Sequence, residues 1–325
     1  MIQNYRSTLT LYETQSAIGY IKKTFQRHLA ARLQLIRATA PLFVDPSTGL
    51  NDNLSGTERP VTFDIPAIGC EAQVVHSLAK WKRQALGKYG FSIGTGLYTD
   101  MNAIRRDETP DALHSVYVDQ WDWEQVITPG MRTEKYLKQT VCQIVEAICA
   151  TLEAVRVLYP QIDTTICSEV SFITGQELAA RYPGLSSKER ENAYIKAHPT
   201  TFIIGIGGGV HDSRAPDYDD WTLNGDLLLW SDVLEQAVEL SSMGIRVDAA
   251  RMQLQCQLAG CEDRLPLPFH QDVLHDRVPL SIGGGIGQSR LCMLLLGKAH
   301  IGEVQASLWP KEMIEECRKN GIELL

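Results

Sequence analysis

Two stretches of this chain, residues 13–37 and Glu134–Leu158, space their apolar side chains at helical period, and seven others read as strands. In the first helix Ile18, Ile21, Phe25, Leu29, Leu33 and Ile36 share a face; in the second Leu137, Val141, Ile144, Val145, Ile148 and Leu152 do. Shorter helices are expected over Gly175–Arg181 and residues 187–197. The strand-like stretches are 61–65, Gly96–Ile104, 114–124, 200–206, 225–230, 237–247 and 304–309. Many are neighbours joined by short Gly, Pro or Asp turns, as in an antiparallel sheet. Strict strand–helix alternation, the mark of a parallel doubly wound fold, is missing. With no linker, repeat or abrupt change of composition, the expectation is one α+β domain over residues 1–325. Its central sheet is mostly antiparallel and flanked by helices.

Charge and motifs narrow the function. The 325 residues are 44% apolar and carry a formal net charge of −8. No basic stripe stands out beyond Lys80-Trp-Lys-Arg83, so a nucleic-acid partner is not expected. No apolar run reaches the roughly 18 residues of a membrane span, and the start, Met1 to Arg6 followed by Lys22, Lys23 and Arg27, lacks a signal-peptide pattern. The eight cysteines form no CxxC pair, Cys256 and Cys261 being the nearest, so reduced thiols in a cytoplasm are expected. The glycine-rich pieces 205–209 and 283–287 lack the Lys-Ser/Thr of a phosphate-binding loop and do not fit GxGxxG. Position 2 is Ile, which leaves no N-terminal nucleophile for amide hydrolysis, and no GxSxG elbow occurs.

The densest polar signal is residues 96–124, read as strand, polar turn (106–112) and strand. Period two in the second strand puts His114, Gln120, Asp122 and Glu124 on one face, which also holds Val116 and Val118. Carboxylates beside arginines suggest a polar ligand cavity, although an exposed sheet face would give the same pattern. A second cluster is Arg214-Ala-Pro-Asp-Tyr-Asp-Asp-Trp221, running into Leu223-Asn-Gly-Asp226. A third is 239–246, where strand parity groups Glu239 with Ser241. Carboxylates at strand ends are hard ligands of the kind Mg²⁺ takes one or two at a time, and a solvated loop is the alternative for Asp226. The fourth is SIGGGIGQSR, residues 281–290, entering an apolar helix at 291–296. A glycine run opening a helix would let backbone N–H groups approach a phosphate, with Arg290 one turn inside; a tight turn explains the glycines equally.

Taken in order, these pieces resemble the bacterial ammonia-dependent (type A) asparagine synthetases over essentially the whole length. The matching stretches are 52–56, Val75-His-Ser-Leu-Ala-Lys-Trp-Lys-Arg83, Gly96-Leu-Tyr-Thr99, 113–124, 214–221, Asn224-Gly-Asp226, 239–246 and 282–290. The chain departs from the family in a shorter loop at 209–214 and in having only Thr222 and Leu223 between Trp221 and Asn224; either loop could form part of a lid.

The resemblance implies a class II aminoacyl-tRNA synthetase catalytic fold, a homodimer, and use of ATP with Mg²⁺ to activate L-aspartate for attack by ammonia. It implies that Arg105 bridges the attacking carboxylate and the α-phosphate, with Arg106 as its rival, and that Arg290 pairs with the nucleotide. Asp226 and Glu239 would hold Mg²⁺. Leu113, His114, Ser115 and Val118, with Leu240 and Ser241, would frame ATP. Lys82, Gln120, Asp122 and Asp219 would hold aspartate, supported by Ser77, Tyr218 and Ser242, and Asp52 would capture ammonia. From pattern alone a lysine in a basic run ordinarily faces solvent, and His76 and His114 suit structural roles as well. Two rival readings are a synthetase paralogue that charges tRNA and a non-catalytic sensor of asparagine or AMP.

Overall fold

The computed structural model describes residues 5–52, 54, 58–208 and 214–325. Ile2, most of the 52–56 motif and the greater part of the shortened 209–214 loop therefore lie outside the described residues. The chain opens with α1 (Leu11–Leu33), whose Thr10 and Glu13 form a reciprocal capping box. The helix stops four residues before the sequence pattern does. Gln34 turns to a left-handed conformation at φ 52°, and β1 (Leu35–Arg37) follows. Ile36 continues the apolar spacing yet is exposed on that strand. Next come β2 (Phe43–Val44), β3 (Thr62–Ile65), β4 (Cys70–Val74) and α2 (Ala79–Lys88). The strand–turn–strand expected at 96–124 is β5 (Gly96–Ile104) and β6 (Tyr117–Val126). Then follow α3 (Glu134–Leu158), β7 (Ser171–Thr174), α4 (Gly175–Arg181), α5 (Ser187–Ile195), β8 (Thr200–Ile204), β9 (Asp219–Ser231) and β10 (Gln236–Arg246). The chain closes with α6 (Ala249–Ala259), α7 (Pro268–Leu274), β11 (Ser281–Gly287), α8 (Gln288–Leu295) and α9 (Lys311–Lys319).

Eight strands make the main sheet in the order β1-β5-β6-β11-β10-β9-β8-β7. Only the edge pairs β1–β5 and β7–β8 are parallel. A second sheet, β2-β4-β3, is antiparallel. The expected mostly antiparallel α+β sheet is thus present. Two local readings are corrected. Residues 304–309 are not a strand: a short 3₁₀ turn at Ile301–Glu303 leads into irregular chain. The glycine run is not a phosphate-cradling loop either. It is β11, hydrogen-bonded to β10 on one side and β6 on the other, so its backbone groups are spent in ladders.

Helices α1 and α3 cover one face of the main sheet. Phe25 of α1 lies 4.7 Å, centroid to centroid, from Trp121 of β6. Ile144 and Ile148 of α3, Leu227 of β9 and Ile286 of β11 join the same core. Period two sends Trp121 and Trp123 into it and Gln120, Asp122 and Glu124 to the opposite face. Among the described residues no helix is long and apolar enough to cross a membrane.

Candidate active site

Above the face of the sheet opposite α1 and α3 lies a cavity of about 720 Å³. Its floor is built by four neighbouring strands, β6, β11, β10 and β9. Gln120, Asp122 and Glu124 stand directly across from Gly287, Gly285 and Gly283. A side chain at Gly283 or Gly285 would collide with them: a Cβ on Gly283 would meet Glu124 Oε2 at 1.9 Å, and one on Gly285 would meet Gln120 Oε1 at 2.4 Å. The missing side chains are what let three polar groups of β6 lie over the neighbouring strand.

Further along the same row Gly285 pairs with Ser242 of β10, and Ser242 with Asp226 of β9. A β-bulge between Glu239 and Ser241 resets the parity of β10. It brings Glu239 to the cavity together with Leu240 and Ser242, whereas Ser241 is not among the lining residues. Ser241 is buried, pairs with core residue Leu227, and its hydroxyl has no hydrogen bond among the described residues. The grouping of Glu239 with Ser241 by simple alternation therefore fails, because alternation cannot anticipate an inserted residue. Thr222 and Leu223 are likewise no lid: they belong to β9, in an irregular stretch where 220–223 face a single residue of β10.

Helix α2 delivers Lys82, only 1% exposed, to the cavity floor. Its ammonium lies 2.9 Å from Asp122 Oδ2, donates to the Gly284 carbonyl at 2.8 Å and sits 3.9 Å from Glu124. Burial lowers its pKa, Arg246 adds to that, and Asp122 and Glu124 oppose it. All three basic residues of the 80–83 run are buried, against the ordinary fate of such a run. Asp122 Oδ1 is buried and accepts no hydrogen bond among the described residues, which leaves an anionic acceptor beside the cavity.

Asp52 lies on the same cavity, where its carboxylate accepts from Ser77 Oγ at 2.8 Å and from the Leu54 N–H at 2.9 Å. Arg105 follows β5, its backbone N–H donating to the Val116 carbonyl, and its Nε has no acceptor among the described residues. Arg106 is exposed and also lines the cavity. Leu113, His114, Ser115 and Val118 form one wall; His114 Nδ1 approaches Asp111 at 2.9 Å, and Ser115 hydrogen-bonds Ser307 at 2.7 Å. Arg290, in the first turn of α8, donates to the Glu239 carbonyl at 2.8 Å. Tyr218 and Asp219 enter from the start of β9. Every residue to which the resemblance gives a site role, except Ser241, lines this one cavity; Glu124 and His76 do not.

Two arginines given no role from the sequence dominate its electrostatics. Arg246 is buried, donates to Glu124 Oε1 and Oε2 at 2.9 and 2.7 Å, and also bonds Asp219. Counting by twos from Ser242 along β10 reaches it, so a period-two signal existed. Arg214 bonds Ser242 and pairs with both oxygens of Asp226 at 2.7 and 2.9 Å. It precedes β9 in irregular chain, where no periodicity marks it. Burial raises the Asp226 carboxyl to about 7, with Arg214 opposing and Glu239 adding to the rise.

Residues 12–321 match the aspartate–ammonia ligase family model. The chain is 56% identical to an aspartate–ammonia ligase of Levilactobacillus brevis, over 99% of this chain and 98% of that one. It is 57% identical, with the same coverage, to one from Lactobacillus delbrueckii subsp. bulgaricus. In fold it is similar to an Entamoeba histolytica asparaginyl-tRNA synthetase solved with asparaginyl-adenylate, with TM-score 0.69 and 12% identity over 91% of this chain and 66% of that one. The architecture is thus that of the class II synthetase core. With a family match spanning nearly its whole length, the chain belongs to the aspartate–ammonia ligase family.

Proposed function

We propose that this chain makes L-asparagine from L-aspartate, ammonia and ATP, releasing AMP and pyrophosphate through a β-aspartyl-adenylate. The observation that carries the reading is one cavity with an amino-acid-sized polar floor and a cationic rim. The floor holds Lys82, Asp122, Asp219 and Arg246; Arg105, Arg214 and Arg290 stand at the rim.

A carboxylate is a poor partner for ammonia because it is anionic and has no good leaving group. In the first step a β-carboxylate oxygen of aspartate attacks the α-phosphorus of ATP, and the bond to pyrophosphate breaks. Anion approaches anion, so the step needs fixed positive charge where negative charge grows and reactants held in line. Arg105 supplies that charge between carboxylate and phosphate, and Arg290 holds the nucleotide against the wall of Leu113, His114, Ser115, Val118 and Leu240. Asp122, with its open acceptor, and Asp219 take the α-ammonium of aspartate; Lys82 faces its α-carboxylate. Gln120 donates to the reacting side chain, while Ser77, Tyr218 and Ser242 complete the pocket. In the second step Asp52 attracts ammonium and takes its proton, the ammonia so formed attacks the acyl carbon, the bond to AMP breaks, and the proton shed by the new amide nitrogen leaves with the AMP phosphate.

Asp226 and Glu239 suit Mg²⁺. They are hard oxygen donors facing one cavity; burial raises the Asp226 carboxyl, with Glu239 adding to the rise, and a dication there would oppose it. Among the described residues no group of three or more candidate ligands exists, in keeping with a metal whose remaining positions go to phosphates and water. When bound, Mg²⁺ would neutralise charge on the triphosphate.

Residues 1–325 serve as one catalytic domain in this reading, since the site draws on residues from Asp52 to Arg290. We place the enzyme in the cytoplasm, in keeping with its eight free cysteines, and expect a homodimer, to which the open edge of β1 and exposed Ile36 are suited. Neither a nucleic acid nor a membrane is a partner in this reading. The purified chain should release AMP and pyrophosphate only when aspartate and ammonium are both present. Stoichiometric ADP and phosphate would overturn the proposal.

A further inference from the structure

Three buried ionisable residues sit just behind the cavity and line none of it. Lys80 precedes Lys82 by two positions on α2, a spacing that turns the two side chains to different sides of the helix. Lys82 enters the cavity, while Lys80 is 2% exposed and its ammonium donates to Asp217 Oδ2 at 2.7 Å. The same carboxylate oxygen lies 2.9 Å from His270 Nε2 of α7 and 3.6 Å from Arg264. Burial raises the Asp217 carboxyl, but Lys80 and His270 together hold it below the ordinary carboxylate range, so Asp217 stays ionised at neutral pH. A buried ion pair is seldom the most stabilising filling for such a space, so its presence calls for another reason.

What the cluster joins supplies that reason. Lys80 also donates to the Asn51 carbonyl at 3.2 Å. Asn51 adjoins Asp52, and its side chain accepts from the Asp52 N–H at 3.0 Å and from the His76 N–H at 2.9 Å. Asp217 adjoins Tyr218, with Asp219 next. One ammonium thus bridges two turns distant in sequence, one carrying the proposed ammonia base and the other the start of β9 with two aspartate-pocket residues.

We propose that Lys80, Asp217 and His270 form a positioning hub that sets where the Asp52 carboxylate stands relative to Tyr218 and Asp219. The inference rests on the reading of Asp52 given above. Lys80 and its partners touch no substrate; they fix the reach of the group that receives ammonia. The cluster is desolvated, so its hydrogen bonds are electrostatically stronger than the same contacts at a surface.

The test is a double-mutant cycle in the full-length enzyme with Lys80→Met and Asp52→Asn. Lys80→Met should raise the KM for ammonium about tenfold, the kind of loss a small displacement of a reacting group produces, and leave aspartate-dependent pyrophosphate exchange far less affected. In the Asp52→Asn background the same substitution should add almost nothing, because the group it positions is already gone. A loss that is equal in both half-reactions and multiplies unchanged through both backgrounds would reduce the cluster to a structural role and sink the hub. Asp52→Asn alone reports on the ammonia reading: if it lowers exchange and synthesis in proportion, that reading fails, while a vanishing Lys80→Met effect in its background would still support the hub. Should Lys80→Met not fold, Asp217→Asn, nearly isosteric, releases the same ammonium and carries the same cycle.

Discussion

The two faces of β6 differ more sharply than any two elements of the molecule. On one side Trp121 and Trp123 fill a core shared with α1 and α3; on the other Gln120, Asp122 and Glu124 lie over glycines. One strand therefore does two jobs divided by a period of two. The helix face stabilises by area removed from water. The cavity face stores charge that burial disfavours and that only close partners keep in place. Substitutions on the two faces should separate stability from chemistry.

The largest expected effect is on the helix face. Trp121→Ala should cost about 3–5 kcal/mol of stability, the range for removing a buried aromatic, read from urea unfolding. The folded fraction should keep its KM for aspartate; a large change there would show that the two faces are coupled. At the rim, Arg105→Ala should lower aspartate-dependent pyrophosphate exchange by about a hundredfold or more, some 3 kcal/mol of transition-state stabilisation. Its unfolding midpoint should hardly move. Exchange near the parent level would remove Arg105 from the first half-reaction and turn attention to Arg106.

Glu124→Ala tests where the division breaks down, because this residue lies on the cavity side of β6 without lining the cavity, anchors buried Arg246 and accepts from Ser281 Oγ at 2.7 Å. Removing one partner of a buried pair costs about 3–5 kcal/mol, so stability and activity should fall together. A loss of activity alone would make Glu124 a substrate contact instead. Asp52→Asn is expected to keep much of the exchange reaction while losing asparagine synthesis, with a weakened dependence on ammonium.

The smallest effect is a pH trend. Burial lowers the His300 imidazole to about 4, and its Nδ1 accepts the Gly302 N–H at 3.0 Å. The fold binds the neutral ring, so the stability it contributes is complete above the unfolded value near 6.5 and is lost as pH falls from there towards 4. A His300→Gln variant should show a flatter stability profile across that window. An identical slope would exclude His300 as the responsive group.

Much of this organisation was written in simple periodicities. Gly96–Ile104, Glu134–Leu158 and Gly175–Arg181 begin and end where their apolar spacing and capping residues say. Helix α1 was overrun because Ile36 fits the helical spacing, while the left-handed turn at Gln34 leaves no trace in apolar pattern. Consecutive glycines ordinarily weaken a strand, so nothing within 283–287 announces β11; its reason for being one, the side chains of β6, lies more than 150 residues away. For the site, the arginines and carboxylates could be named from motifs in order. That Lys82 is buried could not, since its partners Asp122 and Gly284 come from two other elements. Strand alternation groups Ser241 with Glu239, and a single bulged residue undoes that grouping.

Gly283 and Gly285 give β11 no side chains of its own on the cavity side, and the polar groups of β6 occupy that room. With nothing on β11 to trim, substitution there cannot deepen the pocket and instead pushes Glu124, Gln120 or Asp122 out of place. A designer wanting to admit a dicarboxylic acid one methylene longer must move the walls, at Ser77, Gln120 or Ser242, and accept whatever that does to the charges they help align. Neither direction is free in this scaffold: a methyl group added at Gly283 or Gly285 displaces Glu124 or Gln120, and enlarging the pocket takes a rearrangement of its walls.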